Sequence, residues 1–158
     1  MRLGIVTGLP MEARAIPPSE LMIVGAAGLL PGSAARAAEQ LLADGATALL
    51  SFGLAGGLDP KLVAGAVLVA AEVRGEQWLA TDAIWRARIA EMIGLGYTGA
   101  IADTPVVLTN PDLKAFAFEK TRAAAVDMES YAVARVAAER RVPFAALRVI
   151  ADTADDVV

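Results

Sequence analysis

Short apolar runs alternate along the chain with segments in which apolar and polar residues recur at the spacing of a helix. The apolar runs have the length and the aliphatic content of strands that are buried on both faces. We predict strands at residues 3–7, 21–24, 47–52, 66–73, 123–126 and 144–150. We predict helices at residues 33–43, 82–92, 112–121 and 129–140, and a loop at residues 94–99. Strands that alternate with helices in this way are typical of the α/β class.

The chain has the length of one domain. Its 158 residues are enough to bury a hydrophobic core without disulfide bonds or metals. Glycine and proline residues fall at the boundaries of the predicted elements, and we find no repeat, low-complexity tract or linker. We therefore predict a single α/β domain over residues 1–158.

The composition restricts the chemistry that the chain can perform. The sequence contains no cysteine and no histidine, which excludes disulfides, thiolate chemistry and the commonest general base. Any catalysis must therefore use carboxylates, hydroxyl groups, lysine or arginine.

Charge and hydropathy exclude two kinds of partner. A net charge of −4, with Lys and Arg scattered along the sequence, argues against a nucleic-acid site. Every apolar run is interrupted before the roughly 18 residues that a membrane-spanning helix needs. Gly8, Pro10 and Glu12 follow the first strand too soon for a secretory signal. We predict no transmembrane segment and a cytoplasmic protein.

Carboxylates stand where several predicted strands end. Asp127 follows the run 123–126, Glu129 begins the next helix, Asp152 follows the run 144–150, and Glu12 comes shortly after the first strand. Ligands of open parallel sheets bind at this edge, so these side chains are candidates for one site. Structural roles are the alternatives: an N-cap for Asp152, a helix-dipole partner for Glu129, and a surface pair of Glu12 with Arg14.

Four motifs in this order resemble a known superfamily. They are Gly4-Ile5-Val6 with Glu12, residues 53–57, residues 126–130 and residues 148–155. Together they are similar to the purine nucleoside phosphorylases and nucleosidases, in particular the 5′-methylthioadenosine/S-adenosylhomocysteine nucleosidases. The start of the chain and residues 51–58 look closest to the hopanoid-associated phosphorylase branch.

The resemblance implies a single-domain, three-layer α/β/α fold with a central mixed, mostly parallel sheet. The families continue into a C-terminal helix that covers the sheet, and we expect this helix to be missing here. The chain could be truncated, it could belong to a minimal branch of the family, or a partner subunit could cover the sheet instead. The resemblance further implies a small-molecule nucleoside substrate and a homodimer or higher homo-oligomer. It implies no cofactor and no metal, with inorganic phosphate as a possible co-substrate.

The resemblance also assigns roles to the carboxylates. Asp152 would be the general acid toward N7 of the purine, which requires burial to keep its carboxyl protonated. Glu129 would accept hydrogen bonds from the 2′- and 3′-hydroxyls of ribose, and a helix N-terminus would favour its ionised form. Glu12 would orient the attacking water. Met128 would lie under the sugar, and Asp127 would support the site.

Further residues are candidates for the base and for phosphate. The predicted base contacts are Val106 and Val107, with a buried strand as the alternative interpretation. Gly56 and Arg148 are the other predicted substrate-binding residues. Leu54 replaces the serine usual in the families, and Ser51 replaces an arginine of some phosphorylases. The remaining candidates for a phosphate site are Arg14, Gly28 and Ser51.

These residues predict an enzyme that cleaves the N-glycosidic bond of a purine nucleoside and releases adenine from a 5′-substituted adenosine. Phosphorolysis and hydrolysis both remain open. Trp78 and Trp85 are compatible with an apolar entrance for an adenosylhopane-like substrate, or equally with a subunit interface. The alternative function is a nucleoside-binding protein without turnover. A dinucleotide-binding site is excluded because no Gly-x-Gly-x-x-Gly follows the first strand.

Overall fold

A computed structural model describes residues 1–28, 30–94 and 96–158 of the chain. Within these ranges the chain forms eight strands and five helices. The strands are β1 (Leu3–Thr7), β2 (Met22–Ala26), β3 (Ala48–Gly57), β4 (Val67–Arg74), β5 (Trp78–Ala80), β6 (Tyr97–Asp103), β7 (Ala125–Asp127) and β8 (Phe144–Asp152). The helices are α1 (Pro10–Arg14), α2 (Ser33–Ala43), α3 (Ala83–Ile93), α4 (Pro111–Thr121) and α5 (Ser130–Arg140).

All eight strands belong to one mixed sheet in the described part of the chain. Strand β1 pairs in parallel with β2 and β3, and β3 pairs in parallel with β8. The pairs β4–β6 and β6–β7 are also parallel, whereas β3–β7, β4–β5 and β4–β8 are antiparallel. The predicted mixed, mostly parallel sheet is confirmed. In addition, the pairings close β3, β8, β4, β6 and β7 into a ring.

The helices pack through small side chains on this sheet. Helix α2 lies against β1 and β2, helix α5 lies against β3 and β8, and the two helices contact each other. Ala38 and Ala134 are buried where these elements meet, next to larger aliphatic residues such as Leu49 and Val133. Alanine allows helices to approach a sheet closely, so an alanine-rich chain can still bury a continuous core.

Local sequence signals fix several helix starts. The Asn110 side chain accepts a hydrogen bond from the Leu113 amide at 3.0 Å, and Pro111 occupies the first turn of α4. The Asp82 side chain likewise accepts from the Trp85 amide at 2.9 Å at the start of α3. None of the helices in the described residues has the length and hydrophobicity that a membrane crossing requires.

Strands β5 and β6 were not predicted. The prediction of a loop at residues 94–99 is wrong for its last three residues, since β6 begins at Tyr97, and Leu95 lies outside the described residues. The first part of β6 is exposed and lacks aliphatic side chains, so only its backbone pairing with β4 makes it a strand. Strand β3 also continues five residues beyond its prediction, because its glycine-rich end pairs with both β7 and β8.

Candidate active site

A cavity of about 240 Å³ opens at the edge of the sheet where β1, β3, β7 and β8 end. Four carboxylates line it, from Glu12, Asp127, Glu129 and Asp152. The structure therefore brings together the acidic side chains that the sequence placed at strand ends. Among the described residues that line the cavity, Lys114 is the one cation.

A buried polar network lies behind the cavity. The Arg148 guanidinium donates through Nε to Asp127 Oδ2 at 2.6 Å and through Nη2 to Ser51 Oγ at 2.7 Å. Ser130 Oγ donates to Asp127 Oδ2 at 2.5 Å and accepts from Arg148 Nη2 at 3.1 Å. The side chains of Arg148 and Asp127 are only 1% and 2% exposed. This ion pair is therefore almost fully removed from water.

The network corrects two predictions. Ser51 was a candidate phosphate ligand, but it is completely buried and its hydroxyl is engaged by Arg148 and Ser130. Arg148 was a predicted substrate-binding residue, but its guanidinium is buried against Asp127 and is not part of the cavity wall. Asp127 lines the cavity with little exposed surface, in keeping with a supporting role.

Glu129 stands at the N-cap of α5, between the network and the cavity. Its amide donates to Asp127 Oδ1 at 3.2 Å, and its Oε2 lies 3.8 Å from Arg148 Nη2. Burial raises the pKa of Glu129 above its ordinary value, and the negative charges of Asp127 and Glu12 raise it further against the opposing effect of Arg148. Burial and these neighbouring charges thus oppose the predicted effect of the helix N-terminus.

Glu12 is held by backbone amides. Its Oε2 accepts from the Leu9 amide at 2.7 Å, and its Oε1 accepts from the Leu54 amide at 2.9 Å. Gly53 makes room for this carboxylate, because a Cβ at that position would lie 2.6 Å from Glu12 Oε1. The glycine-rich end of β3 thus binds an anion through its backbone, and that anion is a side chain of the protein itself.

Arg14 lies outside the cavity, which corrects its prediction as a phosphate ligand. It is exposed on α1, and its Nε donates to the Pro10 carbonyl at 3.4 Å. The alternative of a surface pair with Glu12 is also wrong: among the described contacts the Glu12 oxygens accept from two backbone amides, and Arg14 donates to a carbonyl instead.

Asp152 is paired with a lysine that the sequence reasoning missed. Lys114 Nζ lies 2.5 Å from Asp152 Oδ1, and the Asp152 side chain is 23% exposed. The burial expected to keep this carboxyl protonated is therefore incomplete, and an ammonium group contacts it instead. The sequence gives no signal for Lys114, because α4 carries two lysines and nothing in the sequence shows that Lys114 is buried and Lys120 exposed. Only the contacts of the Lys114 ammonium at the end of β8 distinguish the two lysines.

Aliphatic residues form the remaining walls of the cavity. Val106 and Val107 are each 59% exposed in the loop after β6, so the alternative of a buried strand is wrong. Met128 also faces the cavity. Gly56 leaves space beside the acid, because a Cβ there would lie 3.4 Å from Asp152 Oδ1. The predicted base and sugar contacts thus line one cavity with Asp152.

The two tryptophans do not line this cavity. The Trp78 ring is exposed and stacks under the Arg74 guanidinium, 4.3 Å from the ring centroid. Trp85 is half-buried on α3. Among the described residues, these two side chains therefore form no entrance to the cavity.

A second cavity of about 410 Å³ adjoins the first and shares Thr104, Met128 and Glu129 with it. Its outer wall includes Gly28, which was predicted as a phosphate ligand. The Gly28 amide donates to the Gly8 carbonyl at 2.8 Å and is thus already engaged. The three phosphate candidates therefore lie apart from one another. In the described part of the chain, no group of acidic side chains has the arrangement of a metal site.

Residues 97–157 match the family model of the phosphorylase superfamily. No curated protein sequence is significantly similar to the chain.

Solved structures share the fold of nearly the whole chain. A mutant futalosine hydrolase of Helicobacter pylori is 22% identical, with a TM-score of 0.85, over 98% of this chain and 86% of its own. A mutant H. pylori nucleosidase with 5′-methylthioadenosine in its active site has the same identity, coverage and TM-score. The Campylobacter jejuni 5′-methylthioadenosine/S-adenosylhomocysteine nucleosidase is 19% identical, with a TM-score of 0.86, over 100% of this chain and 88% of its own.

Proposed function

We propose that this chain, whose fold and carboxyl-terminal sequence are those of the phosphorylase superfamily, is an enzyme that hydrolyses the N-glycosidic bond of a 5′-substituted adenosine. The observation that carries the proposal is the position of Glu12. Its carboxylate lines the cavity and accepts hydrogen bonds from the Leu9 and Leu54 amides. A carboxylate there can orient and deprotonate water, and it repels a phosphate anion.

The charges on the described wall of the cavity support hydrolysis over phosphorolysis. Among the described residues on the cavity wall, Lys114 is the one cation, and its ammonium is bound to Asp152 and to two backbone carbonyls. Arg14 is outside the cavity and Arg148 is neutralised by Asp127. Phosphate would therefore enter a site whose accessible charges are negative.

The proposed reaction uses two carboxyl groups on opposite sides of the sugar. Asp152 carries a proton at the start. As the C1′–N9 bond breaks, its electron pair passes into the purine, and N7 takes the proton from Asp152. The oxygen of a water molecule bonds to C1′ while Glu12 accepts one of its protons. Adenine and the free sugar leave, and exchange with solvent restores both carboxyl groups. This is the logic of an inverting glycosidase.

Glu129 and Met128 would bind the ribose. Two carboxylate oxygens match a pair of hydroxyl donors, and the thioether gives an apolar surface under the ring. Two buried residues hold Glu129 in place. Asp127 accepts a hydrogen bond from the Glu129 backbone amide, and the Arg148 guanidinium partly balances the charge of the Glu129 carboxylate. Because the pKa of Glu129 is raised by burial and by neighbouring carboxylates, binding of the sugar should strengthen as pH rises through that value.

The second cavity gives the proposal its substrate class. It begins at Met128 and Glu129, where the sugar would lie, so a substituent on the 5′ carbon would extend into it. The 5′-methylthioadenosine bound by the H. pylori nucleosidase is a small member of this class. An adenosylhopane-like nucleoside is a large member, with an apolar group that would reach beyond Leu30 and Pro31 on the cavity wall.

The pairing of Asp152 with Lys114 favours a second candidate function. The Lys114 ammonium lies 2.5 Å from Asp152 Oδ1, and a carboxylate held in this ion pair has no proton to give to the base. A protein in which this state prevails would bind the nucleoside without cleaving it.

Adenine release from 5′-methylthioadenosine tests the proposal. We expect turnover by the wild type and losses of about 10²- to 10⁴-fold for Asp152→Asn and Glu12→Gln. The matched controls are Asp155→Asn and Glu20→Gln, which remove exposed carboxylates and should leave the rate unchanged. Unchanged rates in both site variants would refute the assigned roles. Tight nucleoside binding by a wild type without turnover would support the binding protein instead.

A further inference from the structure

Lys114 is among the most buried side chains of the chain, with 1% of its side-chain surface exposed. Its ammonium makes three hydrogen bonds, to Asp152 Oδ1 at 2.5 Å, to the Thr153 carbonyl at 2.7 Å and to the Asp156 carbonyl at 3.0 Å. An ammonium has three donors, so every one of them is used. Burying a lysine costs free energy, because the side chain loses conformational entropy and the ammonium loses its hydration. A buried ammonium at the edge of the cavity is therefore a candidate for a functional role.

We infer that Lys114 is the positioning residue of Asp152, fixing its carboxyl at the cavity and stabilising the negative charge that appears when the proton leaves. The inference rests on the proposed function. Lys114 occupies Oδ1, which leaves Oδ2 as the oxygen that can face the base. In the described residues no other donor reaches the Asp152 carboxyl.

Lys114 also holds the backbone that carries Asp152. Its bonds to the Thr153 and Asp156 carbonyls tie the segment after β8 to α4. Within that segment the Thr153 amide donates to Asp156 Oδ2 at 2.7 Å. The Val158 amide donates to the Thr109 carbonyl at 3.0 Å, close to the start of α4. The segment is thus anchored at several points, and Lys114 is the one that reaches the carboxyl group.

The charge of Lys114 acts on the proton transfer itself. When Asp152 gives its proton from Oδ2 to N7 of the purine, the carboxyl becomes a carboxylate 2.5 Å from the ammonium. The attraction exists only once the carboxylate has formed, so it stabilises the product side of the transfer more than the starting state. Lys114 therefore acts on Asp152 in the state that follows the proton transfer.

The inference predicts a dependence on the leaving group. Adenine must be protonated to leave, whereas 4-nitrophenolate does not, so 4-nitrophenyl riboside should be hydrolysed without Asp152. We expect Lys114→Gln to lower kcat for 5′-methylthioadenosine by about tenfold or more, with a KM within about twofold and an unchanged rate on 4-nitrophenyl riboside. Lys114→Arg, which keeps the charge, should retain more of the activity. The exposed Lys120→Gln is the control on the same helix.

A double variant separates positioning from general damage. If Lys114 acts through Asp152, Lys114→Gln should cause no further loss in an Asp152→Asn background. Equal losses on both substrates, or a full additional loss in the double variant, would show a merely structural role and overturn the inference. Circular dichroism and thermal unfolding check that each variant is folded.

Adenine affinity tests the inference independently of turnover. Adenine is a product, and Lys114 is inferred to stabilise the product side of the transfer, so we expect calorimetry to show weaker adenine binding by Lys114→Gln although the KM for substrate changes little. Lys114→Arg should be closer to the wild type and Lys120→Gln equal to it. Unchanged affinity in Lys114→Gln would overturn the positioning role. A wild type that binds adenine but releases none from nucleosides would refute the proposed function while leaving this measurement valid.

Discussion

Replacing Arg148 with methionine would leave Asp127 as a buried carboxylate without its cation. The two side chains are 2.6 Å apart and almost unexposed, and removing one partner of such a pair costs about 3–5 kcal/mol. Asp127 would keep the hydrogen bonds from Ser130 Oγ and from the amides of Glu129 and Ser130. We therefore expect the lower end, about 3 kcal/mol. At about 2–4 °C per kcal/mol for a chain of this size, the melting temperature would fall by roughly 6–12 °C.

Urea unfolding followed by circular dichroism measures this cost, with the slope against urea concentration expected to stay unchanged. The double variant Asp127→Asn with Arg148→Met removes both charges. It should lose less stability than the sum of the single variants, by about 1–3 kcal/mol. A single variant within about 1 kcal/mol of the wild type would refute the view that the pair is effectively desolvated.

Two further predictions concern the carboxylates at the cavity. Burial first, and then Asp127, raises the pKa of Glu129, so its contribution to stability is full below the ordinary glutamate value and is lost as pH rises through the raised one. As pH rises from about 4 to about 8, Glu129→Gln should therefore gain stability relative to the wild type in urea unfolding. The same change of unfolding free energy with pH in both proteins would contradict this. Gly53→Ala would place a Cβ 2.6 Å from Glu12 Oε1 and displace that carboxylate. We expect adenine release in a steady-state assay to fall at least about tenfold while the protein stays folded. Wild-type activity would show that the reaction tolerates displacement of Glu12.

The sequence predicted those parts of the fold whose signals are local. Helix α2 has its predicted bounds, Ser33–Ala43, because its helical spacing ends before Gly45. Helix α4 begins where the Asn110-Pro111 pair indicated. Strand β6 was missed because its first residues are exposed and are strand only through pairing with β4. The closure of five strands into a ring depends on pairings between distant strands, which no local pattern encodes.

The candidate site shows the same division. The chain topology brings the strand-end residues Glu12, Glu129 and Asp152 to one cavity, so their proximity could be predicted from sequence. The partners of these residues could not be predicted, because they come from packing between distant elements. Lys114 reaches Asp152 from α4, and Ser51 is buried under Arg148. Burial and the charge of Asp127, which raise the pKa of Glu129, likewise come from packing that the sequence does not show.

The identity of the sugar product tests the central claim, that water rather than phosphate attacks C1′, most directly. The wild type would be incubated with 5′-methylthioadenosine in buffers with and without inorganic phosphate, and the products identified by mass spectrometry. The account predicts adenine and the free 5-methylthioribose at the same rate in both buffers. A sugar 1-phosphate that forms only with phosphate would contradict it, and would show that phosphate binds despite the Glu12 carboxylate.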